Sequence, residues 1–408
     1  MKRGLSNIKQ RFWPKKRAYK WAIGSFTALV IAIGFLILGI NIGNGNISFS
    51  GSGATGLPAK LNFSSINTVY QALRENYDGK LTKTQVLNGL KAGLAASAND
   101  PYTEYFSPSQ AKSFSNELNN SFDGIGAELS KNSNGNIQVI APISGMPAAK
   151  AGLKAGDLIT SINGTSTNNM SVEKAVTLIR GKVGTKVNLG ILRGSQTLNI
   201  SIVRADITVP SVNTKIINGD IGYMQITTFA NDTTQLADKA ANQFVKDHVK
   251  GIILDLRNDP GGLLTSAINV SSLWLPNGQT VLTERRGGSI IQTSYSNGND
   301  VLHGIPTVVL INGGSASASE ITTAALHDHG DAYVIGTKSY GKGVVQQLIN
   351  FSDGSELKVT IASWYRPNGK NINKIGITPD EKVNLSSKDV ASNNDTQLKA
   401  AESYLASH

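Results

Sequence analysis

The residues with the most to offer chemically lie between Asn312 and Gln347. The run Asn312-Gly-Gly-Ser-Ala-Ser-Ala-Ser-Glu320 contains Ser317, and Ser339-Tyr-Gly-Lys-Gly-Val-Val-Gln-Gln347 sets Lys342 four residues before Gln346. Hydrolysis of a peptide carbonyl needs a nucleophile, a base for its proton and donors aimed at the developing oxyanion. A serine hydroxyl and a lysine amine can fill the first two roles, provided the lysine is neutral. The reference pKa of lysine is about 10.4, and burial away from acids lowers it. Gly341 and Gly343 let the chain pack closely around the amine. On a strand from Val344 to Leu348 the side chains of Lys342, Val344 and Gln346 share a face, so the Gln346 amide oxygen can orient the amine. Ser315 and Ser319 are alternative nucleophiles, and Lys338 is an alternative base.

The elements around these residues follow from local pattern. Pro306-Thr-Val-Val-Leu-Ile311 is an apolar β-branched run with the character of a strand buried on both faces, and the chain after Ser317 is Ala-rich and favours helix. Ser317 therefore falls at a helix N-terminus, where unpaired N–H groups and the positive dipole end favour negative charge. The competing reading is a capping box, Ser317-Ala-Ser-Glu320, in which the serine does nothing but close the helix end. Gly251 to Arg257 is a second buried-type strand. It leads through Asn258-Asp-Pro-Gly-Gly262 into a helix over Leu263 to Trp274. The glycines there allow backbone N–H groups to approach a substrate carbonyl. With strand Ile221 to Ile226 and a helix over Thr234 to Val249, this alternation predicts a mixed α/β fold whose active groups sit on loops at strand ends.

Upstream, Phe122 to Arg204 changes to short strands and glycine turns. Its run Ala151-Gly-Leu-Lys-Ala-Gly-Asp-Leu-Ile-Thr-Ser-Ile-Asn-Gly164 resembles a PDZ domain. In the loop Gly124-Ile125-Gly126-Ala127 small residues let backbone N–H groups converge on a carboxylate, and the adjacent strand can pair with an extended peptide.

Net charge is +11, yet residues 1–20 hold eight Lys or Arg and no acid, which leaves +3 for the rest. The basic balance belongs to the tail, and no nucleic-acid partner is expected. Trp21 to Ile42 is uncharged and mostly apolar, long enough for a membrane-spanning helix, with the basic side cytoplasmic and the bulk of the chain outside. The chain has no cysteine, so disulfides and thiolate metal sites are excluded. Its five histidines are scattered, with His327 and His329 expected as surface residues at a helix end. No metal and no organic cofactor are expected. A Ser-His-Asp hydrolase using His327 or His329, and a non-catalytic PDZ scaffold or holdase at the cell surface, are the rival readings.

Gly-Ser-Ala-Ser-Ala-Ser-Glu followed by Tyr-Gly-Lys-Gly-x-x-Gln, preceded by Asp-Leu-Arg-x-x-Pro-Gly-Gly and the PDZ-like segment, resembles the carboxyl-terminal processing peptidases, or tail-specific proteases, over about Leu61 to Leu405. The resemblance implies a ClpP/crotonase-like core, Ser317 as nucleophile, Lys342 as general base and Gln346 as its orienting partner. It also implies an oxyanion hole from the N–H of Ala318 and of Gly261 or Gly262. The family often carries Asn where this chain has Asp259, whose side chain is expected to point away from the oxyanion. The expected organisation is a basic cytoplasmic tail (1–20), a transmembrane helix (21–42), a Gly-, Ser- and Asn-rich flexible linker (43–59), a helical region (60–118), a PDZ domain (119–205), a protease core (206–385) and a C-terminal tail helix (386–408). The expected activity is serine endoproteolysis on protein or peptide C-termini. Arg180 is a candidate contact between PDZ domain and protease core, and a second copy of the chain is a further candidate partner.

Overall fold

The computed structural model describes residues 60–386, 388–389, 392 and 394–408. The expected tail, transmembrane helix and linker (1–59) lie outside the described residues. Among those described, no helix is long and apolar enough to cross a membrane. The chain divides into two compact units, with the boundary after Leu81. In the first, the apolar spacing of Ile66, Val69, Tyr70 and Leu73 falls on helix α1 (Ser64–Asn76).

The second unit opens with helix α2 (Lys83–Ala96), started by a capping box in which Thr82 and Gln85 bond each other's backbone N–H. Strand β1 (Glu104–Phe106) and helix α3 (Pro108–Leu118) follow. The sequence pattern anticipated only helices here. A three-residue strand is too short to show a period, and β1 exists because Tyr105 and Phe106 are buried when it joins a sheet.

The PDZ segment comprises β2 (Ser121–Gly124), β3 (Ala127–Lys131), β4 (Ile137–Pro142), α4 (Pro147–Lys150), β5 (Leu158–Ile162), β6 (Thr165–Ser166), α5 (Val172–Ile179), β7 (Lys186–Arg193), β8 (Gln196–Val203) and β9 (Ala205–Thr208). The first and last of these strands pair antiparallel, Ser121 opposite Thr208 and Gly124 opposite Ala205, closing the segment on itself. Inward residues at every second position, such as Val187, Leu189 and Ile191, build one apolar core. Asp157, from the Gly-Asp pair of the motif, is fully buried and takes both 2.7 Å hydrogen bonds of a fork from Arg193, which holds its pKa below the usual carboxylate range.

The remaining chain gives β10 (Val212–Ile217), β11 (Ile221–Ile226), α6 (Thr233–Lys246), β12 (Gly251–Asp255), α7 (Leu264–Ser271), β13 (Thr280–Arg286), β14 (Ser289–Tyr295), β15 (Thr307–Ile311), α8 (Ala318–His329), β16 (Tyr333–Gly336), β17 (Val344–Asn350), β18 (Glu356–Tyr365), β19 (Glu381–Lys382) and α9 (Thr396–Ser407). The central sheet runs β10-β11-β12-β15-β16-β19, parallel from β11 onward. Ile252 and Leu254 face α6, α7 and α8, whereas Ile253, Val308 and Leu310 face α9. Cover on both faces is why β12 and β15 read as unbroken apolar runs.

Helix α9 is thus part of the core rather than a tail. Its N-cap Asp395 receives Arg257 Nη2 at 2.8 Å, the same guanidinium that bonds Asp255 at 2.6 Å. A second, antiparallel sheet runs β1-β18-β13-β14, with β17 also on β18, so the segment before the PDZ domain is woven into the sheet that carries Lys342 at its margin.

Candidate active site

Two strand-turn-helix units meet at the C-terminal ends of the adjacent parallel strands β12 and β15. Their loops are locked together. Asn312 Oδ1 accepts the N–H of Asn258 and of Gly314, each at 2.9 Å, and its amide donates to Asn258 Oδ1. Ser315 Oγ donates to Leu256 O at 2.7 Å, and Ser319 Oγ donates to Asp259 O at 2.9 Å. Both of these alternative nucleophiles are fully buried and engaged with backbone carbonyls.

Ser317 is different. Its backbone has φ +54° and ψ −112°, a conformation that a non-glycine residue holds at a cost of about 1–3 kcal/mol, and it lines an open cleft of about 890 Å³. Such a strand-to-helix corner lifts the hydroxyl off the helix. The cap is made by its backbone instead: Ser317 N–H donates to Glu320 Oε2 at 2.9 Å, while the hydroxyl closes no cap hydrogen bond of normal geometry.

Glu320 is fully buried and holds four donors. Oε2 also accepts Lys342 N–H at 2.9 Å, and Oε1 accepts Ser339 Oγ at 2.5 Å and Gly341 N–H at 2.8 Å. One carboxylate therefore ties the serine corner to the loop bearing Lys342. The sequence reading took Glu320 only as a capping partner. Nothing in its position three residues into the helix, where an acidic cap partner is ordinary, marks it as buried.

Lys342 lines the same cleft as Ser317, Ala318, Gly261, Gly262 and Gln346. Burial drives its pKa down, and the nearby Lys358 pushes the same way; Glu320 and Asp100 oppose them. The amine lies 5.3 Å from the ring centre of Tyr102 and forms no hydrogen bond to Ser317 Oγ here. The loop between α2 and β1, which the sequence pattern left without chemistry, thus supplies Tyr102 and Asp100 to the lysine's surroundings. Gln346, on β17, donates weakly to Thr360 Oγ1 at 3.4 Å and does not touch the amine. Lys338 is exposed and lies outside the cleft lining.

Gly261 and Gly262 have φ of +96° and +147°. A Cβ on Gly261 would come within 2.8 Å of Ala318 N and of Ser317 Cβ, so only glycine lets the turn lie against the serine. The side chain of Asp259 does not line the cleft: it is fully buried under the turn, and its Oδ1 accepts Gly261 N–H at 2.8 Å. Burial shields the carboxyl from water, and the turn gives it a donor. Gly262 bridges Phe229 in parallel, with the bonds made by Gly261 O and Leu263 N. Its own N–H then faces away from Phe229. Neither this N–H nor that of Ala318 has an acceptor among the described residues.

His327 and His329 sit in the last turn of α8, about ten residues and ~15 Å of helix rise from Ser317. His327 Nε2 lies 2.9 Å from Asp380 Oδ1, and His329 Nε2 lies 2.8 Å from Thr280 O. They are structural and cannot serve the hydroxyl.

In the PDZ segment, Gly124 to Ala127 line a small cavity between β3 and α5 together with Phe122 and Arg180. The N–H groups of Ile125 and Gly126 have no acceptor among the described residues. Arg180 stacks on Phe122 at 4.7 Å, and this pair lines both the PDZ cavity and the large cleft that contains Ser317.

Fold and cleft define a serine peptidase that carries a PDZ domain. The family model for peptidase family S41 matches residues 220–383, and that for the PDZ domain matches 116–192. The carboxy-terminal processing protease CtpA of Bacillus subtilis (strain 168) is 38% identical over 370 residues, covering 88% of this chain and 77% of that protein. A protein of Staphylococcus aureus (strain bovine RF122 / ET3-1) described as a CtpA-like serine protease is 40% identical over 324 residues, covering 78% of this chain and 64% of its own. A candidate S41 protease from Bacteroides fragilis NCTC 9343 shares the fold, with TM-score 0.55 and 18% identity over 86% of this chain and 99% of that one. The chain belongs to peptidase family S41, among the C-terminal processing serine proteases.

Proposed function

We propose that this protease is held at the cell membrane by residues 21–42 with its catalytic part outside the cytoplasm. In this reading it captures protein C-termini in the PDZ loop and cleaves upstream as an endopeptidase. Ser317 is the nucleophile, and neutral Lys342 takes its proton. The N–H groups of Ala318 and Gly262 receive the oxyanion, and attack gives an acyl-enzyme that water hydrolyses. Gly262 is preferred to Gly261 because the Gly261 N–H is already bonded to Asp259. Membrane anchoring rests on the basic tail and the apolar run alone.

The observation that carries the assignment is the strained corner at Ser317, in one cleft with two N–H groups that have no acceptor among the described residues and a lysine of lowered pKa that no carboxylate pairs. With the amine over Tyr102, the structure corresponds to a resting arrangement. Productive binding then requires Lys342 to swing toward Ser317 and the oxygen of Gln346 to receive it.

The test compares wild type, Ser317→Ala and Lys342→Ala on one protein substrate bearing either a free or an amidated apolar C-terminus. Turnover should vanish in both variants and depend on the free carboxylate in wild type. Persistent cleavage by Ser317→Ala would refute the assignment.

A further inference from the structure

Asp259 has no part in the mechanism above, yet it connects both halves of the site. Its side chain is fully buried beneath the Pro-Gly-Gly turn, where Oδ1 accepts Gly261 N–H at 2.8 Å and closes an Asx turn around Pro260. Its carbonyl oxygen accepts Ala316 N–H at 3.0 Å and Ser319 Oγ–H at 2.9 Å. One residue thus fixes the glycine turn through its side chain and the serine corner through its backbone. The approach of Gly261 to Ser317 and Ala318 leaves no slack between them. A small rotation of the turn would re-aim the Gly262 N–H.

The other carboxyl oxygen, Oδ2, is buried with no hydrogen-bond partner. No cation faces it. On its own loop Arg257 is committed to Asp255 and Asp395. Helix α8 contributes Glu320, a like charge already holding four donors, and the facing loop contributes Lys342, whose amine lies over Tyr102. The Phe229 segment contributes no charged side chain. One N–H, with a Ser319 hydroxyl whose hydrogen bond goes to the Asp259 carbonyl, does not compensate for burying a carboxylate.

We propose that Asp259 is a positioning residue of the oxyanion site, that its carboxyl group works there in the neutral form, and that its ionisation switches the enzyme off on the alkaline side. This rests on Ser317 as nucleophile with Ala318 and Gly262 as oxyanion donors. Burial pushes the Asp259 carboxyl up to about 8, with the Gly261 N–H and the Ser319 hydroxyl opposing. Loss of its proton puts a negative charge under the turn that must stabilise another one, and it draws the Gly261 N–H inward. Lys342 acts in the opposite sense, since its neutral fraction grows with pH. The two together give a bell-shaped profile whose falling limb belongs to Asp259. An amide at this position keeps the Oδ1 acceptor but cannot titrate.

The experiment measures kcat and KM for wild type, Asp259→Asn, Asp259→Ala and Ser317→Ala from about pH 6 to about pH 10 on one substrate with a free apolar C-terminus. Circular dichroism at each pH confirms folding. Asp259→Asn should match wild type near neutrality and keep rising where wild type falls. Asp259→Ala should lose about tenfold or more in kcat with KM little changed, as for a weakened oxyanion donor. An alkaline limb identical in wild type and Asp259→Asn overturns the proposal, as does wild-type kcat in Asp259→Ala. If Asp259→Ala does not fold, the comparison of wild type with Asp259→Asn decides alone. Activity in Ser317→Ala would instead overturn the underlying assignment, so the two failures are distinguishable.

Discussion

The backbone N–H groups of Ser317 and Lys342 share a single acceptor, Glu320 Oε2, each at 2.9 Å. The distance between nucleophile and base is therefore set by a carboxylate that touches neither reacting atom. Its other oxygen holds Ser339 and Gly341, so the whole lysine loop hangs from α8.

Glu320→Gln is the sharpest test of that arrangement. The amide keeps the shape but turns one acceptor oxygen into a donor, leaving at least one buried N–H or hydroxyl facing another donor. Leaving such a group unsatisfied costs about 1–3 kcal/mol, more when the lost partner was charged. Thermal unfolding should show a loss of at least that size, and kcat should fall further than KM rises. A variant with wild-type stability and kcat would mean that the loop is held by something else.

Much of this was legible in the residues. Continuous apolar runs marked β12 and β15, glycine turns marked the strand ends, and the family resemblance picked out Ser317, Lys342 and Gln346, which line one cleft. What escaped was whatever depended on contacts distant in sequence. Strand β1 pairs with β18, some 250 residues away, and carries no period of its own. Tyr102 lies in a turn with nothing to mark it until Lys342 is laid over its ring. Helix α9 was visible as a helix, but the ion pairs from Arg257 and Asp395 that fix it in the core were not. Asp259 was noticed as a departure from Asn, but its burial under the turn is a property of the assembled loops and left no mark in the residues alone.

Lys342 should reveal itself through the acidic limb of activity. Its pKa is lowered first by burial and next by Lys358, whose own amine sits 3.3 Å from Glu104 and over the rings of Phe106 and Phe114. Lys358→Met removes a like charge, so the Lys342 pKa rises and the midpoint of the acidic limb moves to higher pH. Asp100→Asn removes a charge that favours the protonated amine and moves the midpoint the other way. Profiles of kcat/KM for the two variants should bracket wild type, and shifts in the same direction would exclude Lys342 as the titrating base.

Arg180 and Phe122 form the wall common to the PDZ cavity and the catalytic cleft. If occupancy of the PDZ loop is transmitted to the protease, this stacked pair is the shortest route. Arg180→Ala should reduce the preference for a free over an amidated C-terminus by several-fold, since a cation–π pair of this kind is worth about 0.5–2 kcal/mol. The ratio of kcat/KM for the two substrates measures it. An unchanged ratio, with unchanged peptide binding, would leave the pair a purely structural contact.

The buried carboxyl of Asp259 also makes a prediction about stability that needs no substrate. In the unfolded chain it ionises near its ordinary value of 3.8, whereas in the folded protein burial holds it neutral up to about 8. Between those limits the native state keeps a proton that the unfolded state has released, so this group makes the protein less stable as pH rises, by up to about 1.4 kcal/mol per pH unit. The sign is opposite to that of a salt-bridged aspartate such as Asp157. Asp259→Asn abolishes the linkage. Its stability relative to wild type should therefore increase steadily from pH 5 to pH 8 and level off above, as read by urea unfolding at matched ionic strength. A constant difference across that range would mean that the carboxyl is already ionised in the native state, and its Oδ2 would then need a partner that the fold does not supply.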